Sequence, residues 1–443
     1  MKHLLALILL IGAPALLPAA STNSLPDQLT LAQAVNLALR QNTTILKAQA
    51  ELRRTHGLVV EARSEILPHL GTVGEFRHQD QNLIDRFPFG GATIYNNQET
   101  PWAVTIEATQ TLYAGGRVIA GIRSAKLTDQ AALLDFDRTV ADTVLDVRRN
   151  FYRILLAQSL VVVREQSVAL LEQQLTDAKH RFDAGTIPRF NVLRAEVELA
   201  NAKPPLIRAQ YALRLSRENL AKTLAIDTPD TFTPIKFTGE LTYEPRDWNL
   251  PSALAAAVAN RPELQAAAKR TGAARQQIKV AQAGNLPILS AFAGYQVADS
   301  AFGSDLNDTV NGWLVGGRVR WDLFDGLRTR GQIAQARAQE QQAELDSADI
   351  RRTIELEVRQ AYADYLQAFE MFATQKKTVE VAEESLRLAN ARFQAGTDTQ
   401  LDVLSAQTAL TEARSNEIQA LYDYNVADAA LERATGKTVR FKP

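Results

Sequence analysis

Apolar residues recur every seven positions through two long stretches of the chain: Val140, Val147, Ile154, Val161, Val168, Leu175 and Phe182 in the first, Val358, Tyr365, Phe372, Val379, Leu386 and Phe393 in the second. Such a repeat is a coiled-coil seam. Ala, Gln, Glu and Arg fill the positions between, and no proline falls from Ala114 to Ile187. The pattern therefore predicts a helix of about 65 to 70 residues, roughly 100 Å long. A helix of that length cannot bury a seam against itself and must lie beside neighbours throughout. Four shorter segments, HLGTVGEFR, WAVTIEATQTLY, ILSAFAGYQV and WLVGGRVRWDLF, alternate instead with a period of two and predict strands.

Both patterns are written twice. A shift of 211 residues carries Trp102 onto Trp313, Gly115 onto Gly326, and RFDAGTIPRFNVLRA at 181–195 onto RFQAGTDTQLDVLSA at 392–406. Upstream, Pro68 matches Pro287 at a shift of 219, so eight extra residues fall in the polar stretch around RFPFGGATIYNNQ, which reads as a loop. Each half is expected to run helix, strand, loop, strand, very long helix, tight turn, returning helix, the mark of an internal duplication. The division is 22–227 for the first repeat, 228–248 for an irregular connection that packs as a collar on the helices, 249–437 for the second repeat and 438–443 for a tail. Pro204 and Pro205 are expected to break the first returning helix midway.

At the turns, Gly185 and Gly396 stand where a helix ends and the chain reverses, a place suited to left-handed backbone. Thr186 and Thr397 are placed to help cap the following helix. On the strands, Trp102, Val104 and Ile106 share one face, and Trp313, Val315, Val319 and Trp321 share another, opposite Thr105, Glu107, Arg318 and Arg320. One face suits lipid and the other water; an ordinary sheet packed on a core is the competing reading. Because the helices are committed to a coil, nothing in the pattern is left to cover such a sheet. Four strands are too few for a membrane barrel, so several copies must share one.

Composition narrows the compartment. Lys2 and His3 precede an apolar run from Leu4 to Leu17, followed by Ala19, Ala20 and Ser21, so residues 1–21 read as a secretory signal peptide. No second long apolar run is apparent, and a membrane span would have to be made of strands. With no cysteine, disulfides, thiolate metal sites and a cysteine-linked lipid are all excluded. Forty-nine basic residues against fifty acidic ones give no field that would attract nucleic acid. Five scattered histidines show no ligand spacing and no catalytic or nucleotide-binding motif appears, so neither an enzyme nor a cofactor or metal is expected.

The paired R-F-x-A-G-T turns, the strand pairs before Gly115 and Gly326 and the two-fold repeat resemble the TolC-like outer-membrane efflux protein family over essentially all of the mature chain. The resemblance implies a mainly helical fold with a membrane β-barrel portion: a homotrimer whose 12-stranded outer-membrane barrel continues into an α-helical coiled-coil barrel in the periplasm. It implies partners too, namely outer-membrane lipid, a periplasmic adaptor protein and, through it, an inner-membrane pump, with no nucleic acid. Function would be that of the exit duct of a tripartite efflux or type I secretion system. Arg181, Phe182, Gly185, Thr186, Arg392, Phe393, Gly396 and Thr397 would then face the adaptor.

Asp402 stands where family gates carry an acid, with Asn191 as its counterpart in the first half. Three copies would make a carboxylate ring; the alternative is a solvated charge in a first helical turn. Phe393 and Asp398 replace the tyrosine and arginine of the best-known gate latch, so that latch is not carried over. A secreted coiled-coil scaffold should lack the alternating strands and a passive porin should lack the long helices; the sequence has both.

Overall fold

The computed structural model describes residues 28–80, 86–89, 92–95, 100–226, 235–299 and 309–437. The expected signal peptide and the tail 438–443 lie outside them. Short β1 (Gln28–Leu29) leads into α1 (Leu31–Gln41) and α2 (Thr43–Ser64). Thr30 caps α1 in a capping box with Gln33, and the Asn42 side chain accepts from the Thr44 and Ile45 N–H groups to start α2. Then come β2 (His69–Phe76), β3 (Arg86–Phe89), β4 (Ala92–Tyr95) and β5 (Trp102–Ala114). The long helix α3 (Arg117–Asp183) has 67 residues, and the returning helix α4 (Arg189–Thr223) has 35. After β6 (Lys236–Phe237), the second half repeats the order with α5 (Leu250–Asn260), α6 (Pro262–Gln282), β7 (Ile288–Asp299) and β8 (Val310–Arg320). It closes with α7 (Arg328–Gln394) and α8 (Gln400–Ala434), again 67 and 35 residues long.

Four expectations need revision. The stretch around RFPFGGATIY, expected as a loop, holds the antiparallel pair β3–β4 in its described residues; the Gly-Gly in its sequence is a hairpin signal that the alternation alone did not reveal. Each half opens with two helices in place of one, because Asn42 and Arg261 take extended backbone conformations between them. Helix α4 runs unbroken through Pro204 and Pro205. Leu199 on one side of the prolines, and Ala202 and Leu206 around them, are held against Val168, Leu171 and Leu404, so packing along the helix outweighs the lost backbone hydrogen bonds. Finally, α3 does contain an eighteen-residue stretch apolar enough to cross a membrane by length and composition. That stretch is one part of a helix laid along α4, α6 and α8.

Four strands form one antiparallel sheet in the order β2-β5-β7-β8, and the central β5–β7 pair joins the two repeats. Register places Leu70, Ala108, Ala293 and Val315 in one row across the sheet, and Thr72, Ile106, Tyr295 and Trp313 in the next. The mostly apolar face is therefore continuous from strand to strand.

Beneath the sheet, the seams bury in separate clusters along the helices. Val147, Phe151 and Ile154 of α3 pack with Leu220 of α4 and Leu224 just beyond it, and the connecting segment adds Ile235 and Phe237. Tyr243 of that segment stacks on Phe372 and Tyr424 at 4.7 and 5.0 Å, and Trp248 donates to Asp428 at 3.0 Å, so the connection does pack on the helices. Close by, Arg261, only 3% exposed, donates to Glu263 at 2.6 Å and Glu357 at 2.8 Å. Arg433 reaches Asp142, Glu263 and Glu357 from α8, tying α3, α6, α7 and α8 in one ionic knot.

Candidate functional site

At the end of α3 farthest from the sheet in sequence, Ala184 and Gly185 close the helix. The Gly185 N–H donates to the Phe182 carbonyl at 2.8 Å and the Thr186 N–H to the Arg181 carbonyl at 2.9 Å. The second turn repeats this with Gly396 to Phe393 at 3.1 Å and Thr397 to Arg392 at 3.0 Å. Both are Schellman motifs, which need a left-handed residue; Gly185 has φ +72° and Gly396 +76°. An added Cβ would meet nothing within 4 Å at either glycine. Within the chain, then, the requirement for glycine is purely conformational.

The two threonines act differently from expectation. Thr186 Oγ1 donates back to the Arg181 carbonyl at 2.8 Å and Thr397 Oγ1 to that of Arg392 at 3.0 Å. Each satisfies the end of the outgoing helix, because the N-cap of the next helix falls two residues later, at Pro188 and Thr399.

Here the repeats part company. In the second turn Asp402 Oδ2 accepts from the Thr399 N–H at 2.9 Å and from its hydroxyl at 2.6 Å. Those bonds hold the exposed Asp402 carboxyl below the usual carboxylate range, the Thr399 hydroxyl contributing most and its amide next. Asn191, in the matching place of the first turn, has no such arrangement; its own N–H donates to Pro188 at 3.0 Å. Asp398 turns inward on its own loop: Oδ2 lies 3.9 Å from Arg392 Nη1, and its N–H donates to the Arg392 carbonyl at 3.4 Å.

One contact was not expected from the sequence. The Arg181 guanidinium lies over the Phe393 ring, 5.3 Å from carbon to centroid, so the two turns touch through residues that the repeat had only set in parallel. The doubled Arg-Phe dipeptide was the available signal.

Farther up the chain, the apolar strand residues stand open to the outside of the sheet. Val104 and Ile106 are 41% and 50% exposed, while Trp313, Val315 and Val319 rise to 82%, 76% and 69%. Trp102 is half-buried at the start of β5. Trp321 lies one residue beyond β8, where its Nε1 donates to the Asn285 carbonyl at 3.1 Å; the strand ends at Arg320 because Trp321 is tethered to the segment below the sheet.

A family described as outer membrane efflux protein matches residues 34–225 and 253–437, one block in each repeat. The outer membrane efflux protein BepC of Brucella suis is 24% identical over 416 residues, covering 91% of this chain and 90% of the relative. The outer membrane protein TolC of Salmonella enteritidis is 23% identical, covering 95% and 86%. In fold, the crystal structure of the Campylobacter jejuni CmeC outer membrane channel superposes with a TM-score of 0.79 at 14% identity, covering 92% of this chain and 85% of that one. Matched in both repeats and along most of its length, the chain belongs to the outer membrane efflux protein family and is an efflux channel protein of the outer membrane.

Proposed function

We propose that three copies of this chain pool their sheets into one 12-stranded barrel and their helices into a tube beneath it, forming the exit duct of a tripartite efflux or type I secretion assembly. The observation that carries this reading is the sheet itself. Its apolar face is exposed, and its outer strands β2 and β8 each pair with a single strand among the described residues. A sheet in lipid cannot leave its edges open, and closure by further copies removes them. On this reading Trp102, Val104, Ile106, Trp313, Val315 and Val319 face lipid, with Trp321 at the periplasmic boundary. The two 67-residue helices favour a duct over a passive porin, which has no use for them.

In this proposal the six turns of a trimer form the periplasmic end. Gly185 and Gly396 leave open space outside the backbone, which suits the close approach of an adaptor helix. Asp402 supplies three carboxylates at the mouth, favouring cations and opposing anions.

The test uses Gly396→Asn, because Asn tolerates left-handed backbone while adding a side chain to the docking face. The variant should keep its oligomer mass in detergent and lose both export and co-purification of an adaptor from crosslinked cells. Retention of adaptor binding would remove the turns from the docking role. A lone subunit in detergent would end the shared-barrel reading.

A further inference from the structure

The two repeats build the same apolar cluster near the turns, and only one of the two is complete. In the first, Val168 and Leu171 of α3 and Leu199 of α4 enclose Leu404, inserted by α8 of the other repeat and 4% exposed. The 211-residue shift carries these four to Val379, Ala382, Leu410 and Leu193. Val379 and Leu410 do pack together, with Ala382 alongside. Leu193 is missing from that cluster; it lies on α4, 48% exposed. The second repeat thus offers the acceptor that the first repeat fills, and α4 carries the plug, out of reach within one chain. An acceptor and a plug on the same molecule that cannot meet each other fit a second copy joined head to tail, a contact that closes into a ring.

The turns carry the same asymmetry. Arg181 of the first repeat covers Phe393 of the second. The shifted pair is Arg392 and Phe182, and in the chain Phe182 is 41% exposed while the Arg392 side chain is 68% exposed. Within its own turn Arg392 has only the long 3.9 Å approach to the half-buried Asp398, which leaves most of its guanidinium in solvent.

We propose that Arg392 of each copy closes over Phe182 of the partner subunit, so that Arg-on-Phe contacts alternate within and between copies around the periplasmic mouth and latch it shut. This rests on the shared-channel reading and specifies how that channel is held closed. The contacts within chains hold the two hairpins of one copy together, and those between copies are the ones that widening the mouth must break. The latch uses groups other than the tyrosine and arginine of the familiar gate, whose places Phe393 and Asp398 occupy. Arginine keeps its charge at every physiological pH, so the attraction to the ring face persists without a titrating partner.

The chain has no cysteine of its own, which leaves the probes clean. The full-length protein carrying Arg392→Cys together with Phe182→Cys is treated in outer-membrane vesicles with a short bis-maleimide. A covalent ladder up to the trimer is expected, absent from each single variant. In planar bilayers, Phe182→Leu and Arg392→Gln should each raise the open-to-closed ratio of the channel about tenfold or more, since one exposed cation–π contact is lost at each of three seams, and Phe182→Tyr should restore closure. All variants are weighed in detergent. Trimers with no ladder, or with a ladder and an unchanged open fraction, would overturn the latch and leave the channel standing; a lone subunit would overturn both.

Discussion

Arg181 and Phe393 belong to different repeats, yet the guanidinium of the first rests on the ring of the second at 5.3 Å. Neither side chain is buried, and the contact fastens one helical hairpin to the other at the tip, where the helices have few remaining neighbours. Exposed cation–π pairs contribute about 0.5–1 kcal/mol, enough to bias a mouth without sealing it permanently. A double-mutant cycle with Arg181→Met and Phe393→Leu, read as open fraction in planar bilayers, should return a coupling of about that size. Strictly additive effects would mean that the stacking is incidental.

Gly185 and Gly396 separate conformational need from steric need. With open space where a Cβ would stand, Gly→Ala at either turn meets no clash and costs only the left-handed backbone, about 1–2 kcal/mol. Asn tolerates that region and should cost less. Amide hydrogen exchange at Thr186 and Thr397, whose N–H groups close the motifs, will report each loss locally. Equal loss in the Asn and Ala variants would show that something besides backbone conformation selects glycine.

How far the sequence reached is clear from the helices. The heptads placed α3 and α7 at about their true length because a seven-residue period over many turns admits no other regular structure. The strands were legible for the same reason in period two, and the duplication fixed which segments correspond. The β3–β4 pair and the breaks at Asn42 and Arg261 escaped although they are local, and the other misses were decided by contacts and caps that the pattern does not display. Pro204 and Pro205 read as a break, since the sequence does not display the Val168, Leu171 and Leu404 surface that holds the helix across them. Thr186 and Thr397 were assigned to the wrong helix end by two residues, within the range where a cap and a turn compete for one side chain. The Arg181–Phe393 contact required knowing that the two turns converge, which identical sequence does not state.

Arg261 is almost fully buried and held by two glutamates, with Arg433 sharing both. Burial pushes the Glu263 carboxyl up, but the Arg261 hydrogen bond and charge, with help from Arg433, bring it below its ordinary value. A carboxyl lowered by folding stabilises the folded state above its unfolded pKa of about 4.3, and that contribution is lost as pH falls through the lowered folded value. Arg261→Met should strand Glu263 and Glu357 on Arg433 alone and cost about 3 kcal/mol, seen as a fall in thermal midpoint at pH 7. The gap between variant and parent should narrow as the pH falls through the lowered Glu263 value, where that carboxyl takes up a proton. A gap that does not change with pH would show that lost packing, rather than the ionic knot, sets the cost.

Asp402 joins the cap of α8 to the proposed mouth, and one titration reads both. Its carboxylate accepts from the Thr399 N–H and hydroxyl, and those two bonds lower its pKa in the folded chain. The cap is therefore complete at neutral pH and stays so below the ordinary aspartate value of about 3.9, failing only as pH drops through the depressed one. Exchange of the Thr399 amide should stay protected down to that point and then accelerate, whereas Asp402→Ala should leave it unprotected at every pH. If the same carboxylates also line the mouth, cation preference in planar bilayers should fall along the same titration and be weaker in Asp402→Ala at pH 7, while Asn191→Ala changes neither. Loss of Thr399 protection in Asp402→Ala with cation preference intact would assign Asp402 to the helix cap alone.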